Sequence, residues 1–229
     1  FVTGVQTCAL PILRLVMETD GSLSLIASKK SNVRNPDDLK GKNISVSGNT
    51  FVEYATDEVM KRACLHPGEV NKPEINNIPL RLMMLEDGQI SASFLPGPAT
   101  AIALNDGHTA LLNTRQMGLR CTGIVFSEKA ITEKDEEIRR FITGYNLGVK
   151  YLQTRPQNEW TEILVKEFGL QEKAAMQIDL PDYRPATRPS YHDIEKIIAW
   201  LKSKGSIPDY YPGENLVDTT FIPGTLKPQ

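Results

Sequence analysis

Leu85-Glu86-Asp87-Gly88-Gln89-Ile90-Ser91-Ala92-Ser93-Phe94-Leu95-Pro96-Gly97-Pro98 is the run on which the fold reading turns. Its apolar spacing and its Gly and Pro breaks predict a helix ending at Gly88, a buried strand over Ile90 to Leu95, and a Pro-rich turn opening the next helix. In a doubly wound sheet the turn beyond a strand's carboxyl end is where small ligands bind. Leu95, Pro96, Gly97 and Pro98 are therefore a candidate ligand lip, and a small-molecule binding protein is the first expectation.

The same alternation continues on both sides. Upstream, Glu74 to Ile78 is predicted as a strand, and Pro79 starts a helix whose Leu80, Met83 and Met84 face inward. Earlier still, a strand over Asn43 to Val46 leads through a polar turn, Ser47-Gly48-Asn49, into a helix from Thr50 to Ala63. Thr50 and Glu53 have capping-box spacing, and Val52, Ala55, Val59 and Ala63 make one apolar stripe. Downstream, Pro98 opens a helix through Leu104 that stops at Gly107, followed by a strand at Thr109 to Leu112. Alternating strands and helices predict parallel pairing, with Lys42 to Asn113 as one compact α/β lobe.

Outside that lobe, Ser22 to Ser28 alternates as a strand, and Asn35 with Pro36 caps a brief helix over Asp37 to Lys40, stopped by Gly41. Gly118 to Ser127 is apolar and extended, and helices follow. Thr132 caps a long one carrying Ile138, Phe141, Ile142, Tyr145, Val149 and Leu152 at helical period. Trp160, Ile163, Leu164 and Phe168 mark another, ended by Gly169. Ser190 and Asp193 open the last, with Ile194, Ile197, Ile198 and Leu201 before Gly205. These helices need a sheet to cover, yet few strands remain outside the central lobe, so a second lobe is predicted to be incomplete.

The chain has 229 residues, 40% hydrophobic and 24% charged, with a formal net charge of −2, which fits a globular protein of one or two domains. No block of Lys or Arg points to nucleic acid or an anionic membrane surface. No run approaches the length of a membrane span, and the start lacks a basic region followed by an apolar one. Val2 to Ile12, however, resembles the reading-frame translation of a sequencing-library adapter. Residues 1–12 are accordingly set aside, the natural chain is expected to begin near Leu13, and the start carries no information on location. Cys8 goes with that segment. Cys64 and Cys121 stand far apart in no metal or disulfide spacing and read as small buried apolar residues. His66, His108 and His192 lack partners at metal or triad spacing and read as loop or capping residues. Glu136-Glu137 and Arg139-Arg140 form a solvated helix face. No Gly-rich phosphate loop occurs.

Asp38-Leu39-Lys40-Gly41-Lys42 before a strand, the strand–Ser–Gly–helix turn at Ser47 to Thr50, and Leu85-x-x-Gly-x-Ile-x-Ala-x-x-Leu-x-x-Pro98 resemble, in order and spacing, substrate-binding proteins of ABC importers. The nitrate, sulfonate and taurine branch, which shares its fold with thiamine-pyrimidine-precursor binders, is the most similar group. Thr122-Gly123-Ile124-Val125-Phe126-Ser127-Glu128 resembles that family's returning hinge strand, and the resemblance spans about Leu13 to Pro223. Two positions depart from the pattern: Ser91 stands where Asp is usual, and Gly97 where a Glu or aromatic often precedes Pro98.

The resemblance implies a two-lobed periplasmic-binding-protein-like α/β fold of type II, its first lobe incomplete, with ligand held in the interlobe cleft. On that template residues 13–36 and 114–229 form lobe I and residues 37–113 form lobe II. Ser22 to Ser28 and Cys121 to Ser127 are the crossing strands. It further implies a small polar or anionic ligand, a membrane permease as partner, a monomer, and a periplasmic or membrane-anchored extracellular place. It implies no catalytic residue, metal or cofactor.

Three stretches are candidate ligand contacts. At Ser47, Gly48, Asn49 and Thr50 a strand hands over to a helix, whose free N–H groups and dipole receive an oxyanion. The competing reading is that Asn49 and Thr50 merely cap the helix. Leu95 to Pro98 are predicted at the same sheet edge. Thr122 and Gly123 are the third, since a small residue in a strand lets ligand approach the backbone; plain packing is the alternative there. No Arg is assigned to the site. An enzyme of thiamine-pyrimidine or menaquinone synthesis on the same fold, or a sensor ectodomain, are the competing functions.

Overall fold

A computed structural model describes residues 13–120, 122–176, 178 and 183–222. The adapter-like start with Cys8, as well as Cys121 and Pro223, lie outside the described residues. In chain order the strands are β1 (Leu13–Thr19), β2 (Leu23–Ala27), β3 (Ile44–Ser45), β4 (Ala92–Pro96), β5 (Thr109–Asn113) and β6 (Thr122–Ser127). The helices are α1 (Phe51–Arg62), α2 (Ile78–Asp87), α3 (Gly97–Asn105), α4 (Glu128–Glu133), α5 (Asp135–Thr154), α6 (Gln157–Phe168), α7 (Glu172–Met176) and α8 (Tyr191–Ser203). They divide into two compact units: the described residues of 1–21, 120–155 and 181–229, and those of 22–119 and 156–180.

The second unit holds a four-stranded sheet in the order β3-β4-β2-β5. The parallel pairing expected within Lys42 to Asn113 holds for β3 and β4, while β2, expected to lie outside that lobe, joins the sheet antiparallel to both β4 and β5. Strand period places side chains on a face and carries no direction, so the alternation in Ser22 to Ser28 did not reveal it. Leu23–Ala27, read as a crossing strand, is in fact interior to this sheet. Its insertion leaves β4 and β5 parallel to each other across it, with α3 as their connection.

The core on this sheet joins Ile26, Ile75, Leu85, Ile90, Leu95, Ala99 and Ala103. α2 ends at Gly88, whose φ of 74° is the left-handed stop that the sequence predicts. Of the residues expected on its inward face, Met84 packs on this core but Leu80 and Met83 do not. Leu80 and Met83 are 40% and 54% exposed, whereas Arg81 and Leu85 are buried. The predicted strand at Glu74 to Ile78 is also absent. Glu74 makes a single parallel bridge to Val46, and α2 begins already at Ile78 because the Asn77 side chain accepts the Leu80 N–H. The Asn35 cap forms as expected over a 3-10 turn, Pro36–Leu39. Cys64 is a further correction: it is exposed, in a left-handed backbone position just past α1 (φ 53°). α6 and α7 belong to this unit, where Leu164, Leu170 and Ile178 pack on Ala101 of α3.

In the first unit β1 and β6 pair antiparallel, Thr19 opposite Thr122 and Leu13 opposite Ser127. A bulge between Leu15 and Met17 lets neighbouring Val16 and Met17 both be buried. They pack with Ile138 and Ile142 of α5 and with Phe221 and Ile222. α5 holds its predicted period, but Thr132 does not cap it. Thr132 lies inside α4, where its hydroxyl donates to the Glu128 carbonyl, and α5 starts at Asp135. Ser190 caps α8 by accepting the Asp193 N–H, as the sequence predicts. Among the described residues no helix is long and apolar enough to cross a membrane.

Candidate functional site

Because β3 and β4 are adjacent and parallel, the two predicted lips of the second unit come together at their carboxyl ends. β3 runs out through Ser47–Thr50 into α1, and β4 runs through Pro96 into α3. Two helix N-termini thus open side by side on one sheet edge, the arrangement in which backbone N–H groups collect an anion.

The two ends are not equivalent. α1 is closed by its own side chains: Thr50 Oγ1 accepts the Val52 N–H at 3.2 Å and donates to the Ser47 carbonyl at 2.8 Å. Glu53 accepts the Asn49 N–H at 2.8 Å, so the reciprocal half of the capping box falls one residue earlier than its spacing predicts. Asn49 holds a left-handed φ of 55°, which Asn tolerates better than most residues. Capping by Thr50 is therefore part of its role. α3, in contrast, starts behind Pro96, which supplies no side-chain cap, and Pro98 in its first turn carries no N–H, so Gly97 and Ala99 bear the first free donors. At this lip Leu95 is fully buried in the core and presents only backbone, Pro96 and Gly97 are half-buried, and Pro98 is exposed.

Arg81, which the sequence reading left unassigned, ties the two ends together. Its Nε donates to the Ile75 carbonyl at 2.7 Å, its Nη1 to the Phe94 carbonyl at 3.3 Å, and its Nη2 to Ser47 Oγ. The residue is 2% exposed, and among the described residues no carboxylate pairs with it. Burial alone acts on its ionisation and pushes its pKa down. A guanidinium is not neutralised in a protein, so a full positive charge sits beneath the lip, bonded only to neutral acceptors. The signal was available in principle: a lone Arg within the apolar period of α2 requires acceptors if that face is buried.

Thr122 and Gly123 lie in the first unit. Thr122 Oγ1 bonds Thr19 Oγ1 at 2.9 Å across the β1–β6 pair. A methyl group at Gly123 would overlap the Leu15 side chain and come 2.7 Å from the Met17 carbonyl oxygen, so close packing accounts for this glycine. Both residues border a cavity of about 140 Å³ lined chiefly by apolar residues, among them Leu15, Ile194, Ile197 and Leu201.

The histidines are separate. His66 and His192 are exposed, while His108 is buried: its Nδ1 accepts the Lys29 N–H at 3.1 Å and its Nε2 lies 3.2 Å from Glu86 Oε2. Among the described residues no three His, Cys, Asp or Glu side chains gather as a metal site would require.

This α/β fold, with open turns at the carboxyl ends of adjacent strands, is shared with solved structures of periplasmic binding proteins. The aliphatic sulphonate binding protein SsuA of Escherichia coli superposes with a TM-score of 0.75 at 13% identity, over 95% of this chain and 73% of that one. The alkanesulfonate-binding protein SsuA of Xanthomonas axonopodis pv. citri, bound to MOPS, gives 0.71 at 18% identity, over 90% and 71%. The desulfurization enzyme DSZB gives 0.61 at 11% identity, over 92% and 78%. Comparison with curated proteins finds no match. The family model described as NMT1/THI5 like matches residues 9–159, and the chain belongs to that family.

Proposed function

We propose that this protein is the solute-binding component of an ABC importer, and that it holds a small organic anion of the sulfonate type at the lip formed by Ser47–Thr50 and Pro96–Pro98. The observation that carries this reading is Arg81, a buried charge with which no carboxylate pairs among the described residues, bonded to the ends of both strands that bear the lip. An uncompensated buried charge is costly, and an anion bound at the uncapped start of α3 relieves it. Gly97 leaves the backbone accessible there, whereas the Glu74 carboxylate lies against Gly48, and Ser47 contributes a hydroxyl already oriented by the guanidinium. The family and the fold likeness to sulfonate-binding proteins support the same reading.

The remaining parts of the proposal follow from that role. The protein acts as a monomer on the outer side of a membrane, hands its ligand to a permease, and releases it chemically unaltered. Buried His108 accepts the Lys29 N–H at Nδ1, and its Nε2 faces the Glu86 carboxylate.

Isothermal titration with alkanesulfonates, nitrate, carboxylates and pyrimidines tests the assignment. One-site binding of a sulfonate, weakened by Arg81→Met, supports it. Binding confined to neutral pyrimidines, or appearance of a product by mass spectrometry, overturns it.

A further inference from the structure

The apolar stripe of α8 has no part in the ligand lip. Ile194, Ile197 and Leu201 recur at helical spacing, and together with Leu15 of β1 they face the cavity of about 140 Å³ inside the first unit. Two glycines shape its walls. A Cβ at Gly123 would overlap the Leu15 side chain, and a Cβ at Gly213 would overlap that of Ile198, which also lines the cavity. Neither glycine has a positive φ, so each serves space and not backbone conformation. Leu15 and Ile198 are lodged over bare backbone, and the volume between the β1–β6 pair and α8 is left open.

The chemistry of that volume selects what enters it. Protein interiors hold few voids larger than a water molecule, and a water kept in one needs about two to four polar partners. An apolar cavity of similar size, on the order of 150 Å³, stays dry and takes up benzene. At the rim the charges are already answered. Glu18, 9% exposed, accepts the Ser190 N–H at 3.2 Å and Arg184 Nη2 at 3.3 Å, with Arg120 Nη1 3.9 Å away. Asp193 lies 4.0 Å from Lys196 Nζ. A charged occupant would therefore lose its water against apolar walls and gain no counter-charge, whereas a neutral one has no such cost.

We propose that this cavity is a second binding site, distinct from the anion lip, for an uncharged apolar molecule the size of a substituted benzene. It stands independently of the sulfonate reading, since none of Ser47–Thr50 or Pro96–Pro98 lines it. The α8 stripe forms one wall, and an aromatic occupant recovers the dispersion contacts that an empty void forfeits.

The test is titration of the full chain with toluene, followed by NMR and thermal melts, with benzoate and benzylamine as charged counterparts of similar size. Toluene is expected to bind saturably, to raise the melting temperature, and to give NOE contacts with the methyl groups of Ile194, Ile197 and Leu201. Benzoate and benzylamine are expected to bind at least about tenfold more weakly, because their charged ends find no partner inside. Ile197→Phe and Leu201→Phe fill the cavity from α8, and each is expected to weaken toluene binding about tenfold while remaining folded. Absence of saturable binding, or binding without those NOE contacts, overturns the site and leaves a packing void. Unchanged toluene affinity in a folded filling variant overturns it as well. Equal affinity for toluene and either charged counterpart overturns the neutral ligand class. The NOE contacts are read on the unmodified chain, so they decide the matter even where neither filling variant folds.

Discussion

Arg81 Nη1 reaches the Phe94 carbonyl at 3.3 Å, which fixes a helix-borne guanidinium to the end of β4. Through Ser47 it also grips the exit of β3. Arg81→Met removes the charge and leaves the Ile75 and Phe94 carbonyls without this donor. Loss of a partner for a buried polar group costs about 1–3 kcal/mol, so the second unit is expected to unfold at clearly lower urea. Sulfonate affinity is expected to fall as well. Arg81→Lys is expected to recover part of the affinity but little of the stability, because one ammonium cannot span acceptors placed for a planar fork. Denaturation followed beside calorimetry checks both.

That residue also marks the limit of what was legible in the chain. Gly88 and Pro98 carry backbone requirements that any sequence reading can use, and the run between them is a buried strand as expected, beginning at Ala92. The turn at Ser47–Thr50 and the caps at Asn35 and Ser190 were equally open to view, since their side chains act within a few residues. The antiparallel placement of Leu23–Ala27 was not, because direction in a sheet depends on distant partners. The inward face of α2 was misplaced in part for a related reason: Leu80 and Met83 are apolar, but three acceptors brought by the fold let Arg81 be buried there instead. Glu74 was hidden by its β-like neighbours Ile75 and Ile78, and its position against Gly48 arises only from tertiary packing.

His108 makes the second unit sensitive to acid. Burial pushes its pKa below the ordinary 6.5, even though Glu86 opposes the shift, because a charged ring would be desolvated. In the window between the lowered folded pKa and 6.5 the unfolded chain binds more protons than the folded one, so stability rises with pH. The contribution is complete above about pH 6.5 and is lost as pH falls toward the folded pKa. Glu86, held below its usual range first by its hydrogen bond to Lys29, adds a loss of the same sign at lower pH. His108→Gln is expected to flatten the pH dependence of the melting temperature between pH 6.5 and the lowered value, while the acid loss due to Glu86 persists. An unchanged slope in that window would assign it to other groups.

Thr50 tests how far the turn depends on its cap. Thr50→Ala removes both the acceptor for the Val52 N–H and the donor to the Ser47 carbonyl, and a cap of this kind contributes about 1 kcal/mol. Thr50→Ser retains the hydroxyl and is expected to lie close to the unmodified protein. If ligand affinity also falls in Thr50→Ala, by more than the small loss of stability explains, the hydroxyl serves the ligand as well as the helix. Hydrogen exchange at the first turn of α1, measured with and without bound sulfonate, separates the two roles.

Gly123 is expected to be required for folding of the first unit. A Cβ at this position meets the Leu15 side chain and stands 2.7 Å from the Met17 carbonyl oxygen, backbone that cannot move without shifting the β1–β6 register. Gly123→Ala is therefore expected to destabilise by about 1–3 kcal/mol, the usual cost of forcing extra volume into close packing. Leu15→Ala in the same chain relieves the side-chain part of the clash but not the backbone part, so the double variant is expected to recover only partially. Full recovery, read as a melting temperature equal to that of Leu15→Ala alone, would show that the backbone of β1 yields and that the glycine is dispensable. In that event the place of Gly123 beside the apolar cavity, and not its packing against Met17, becomes the reason to examine it for ligand contact.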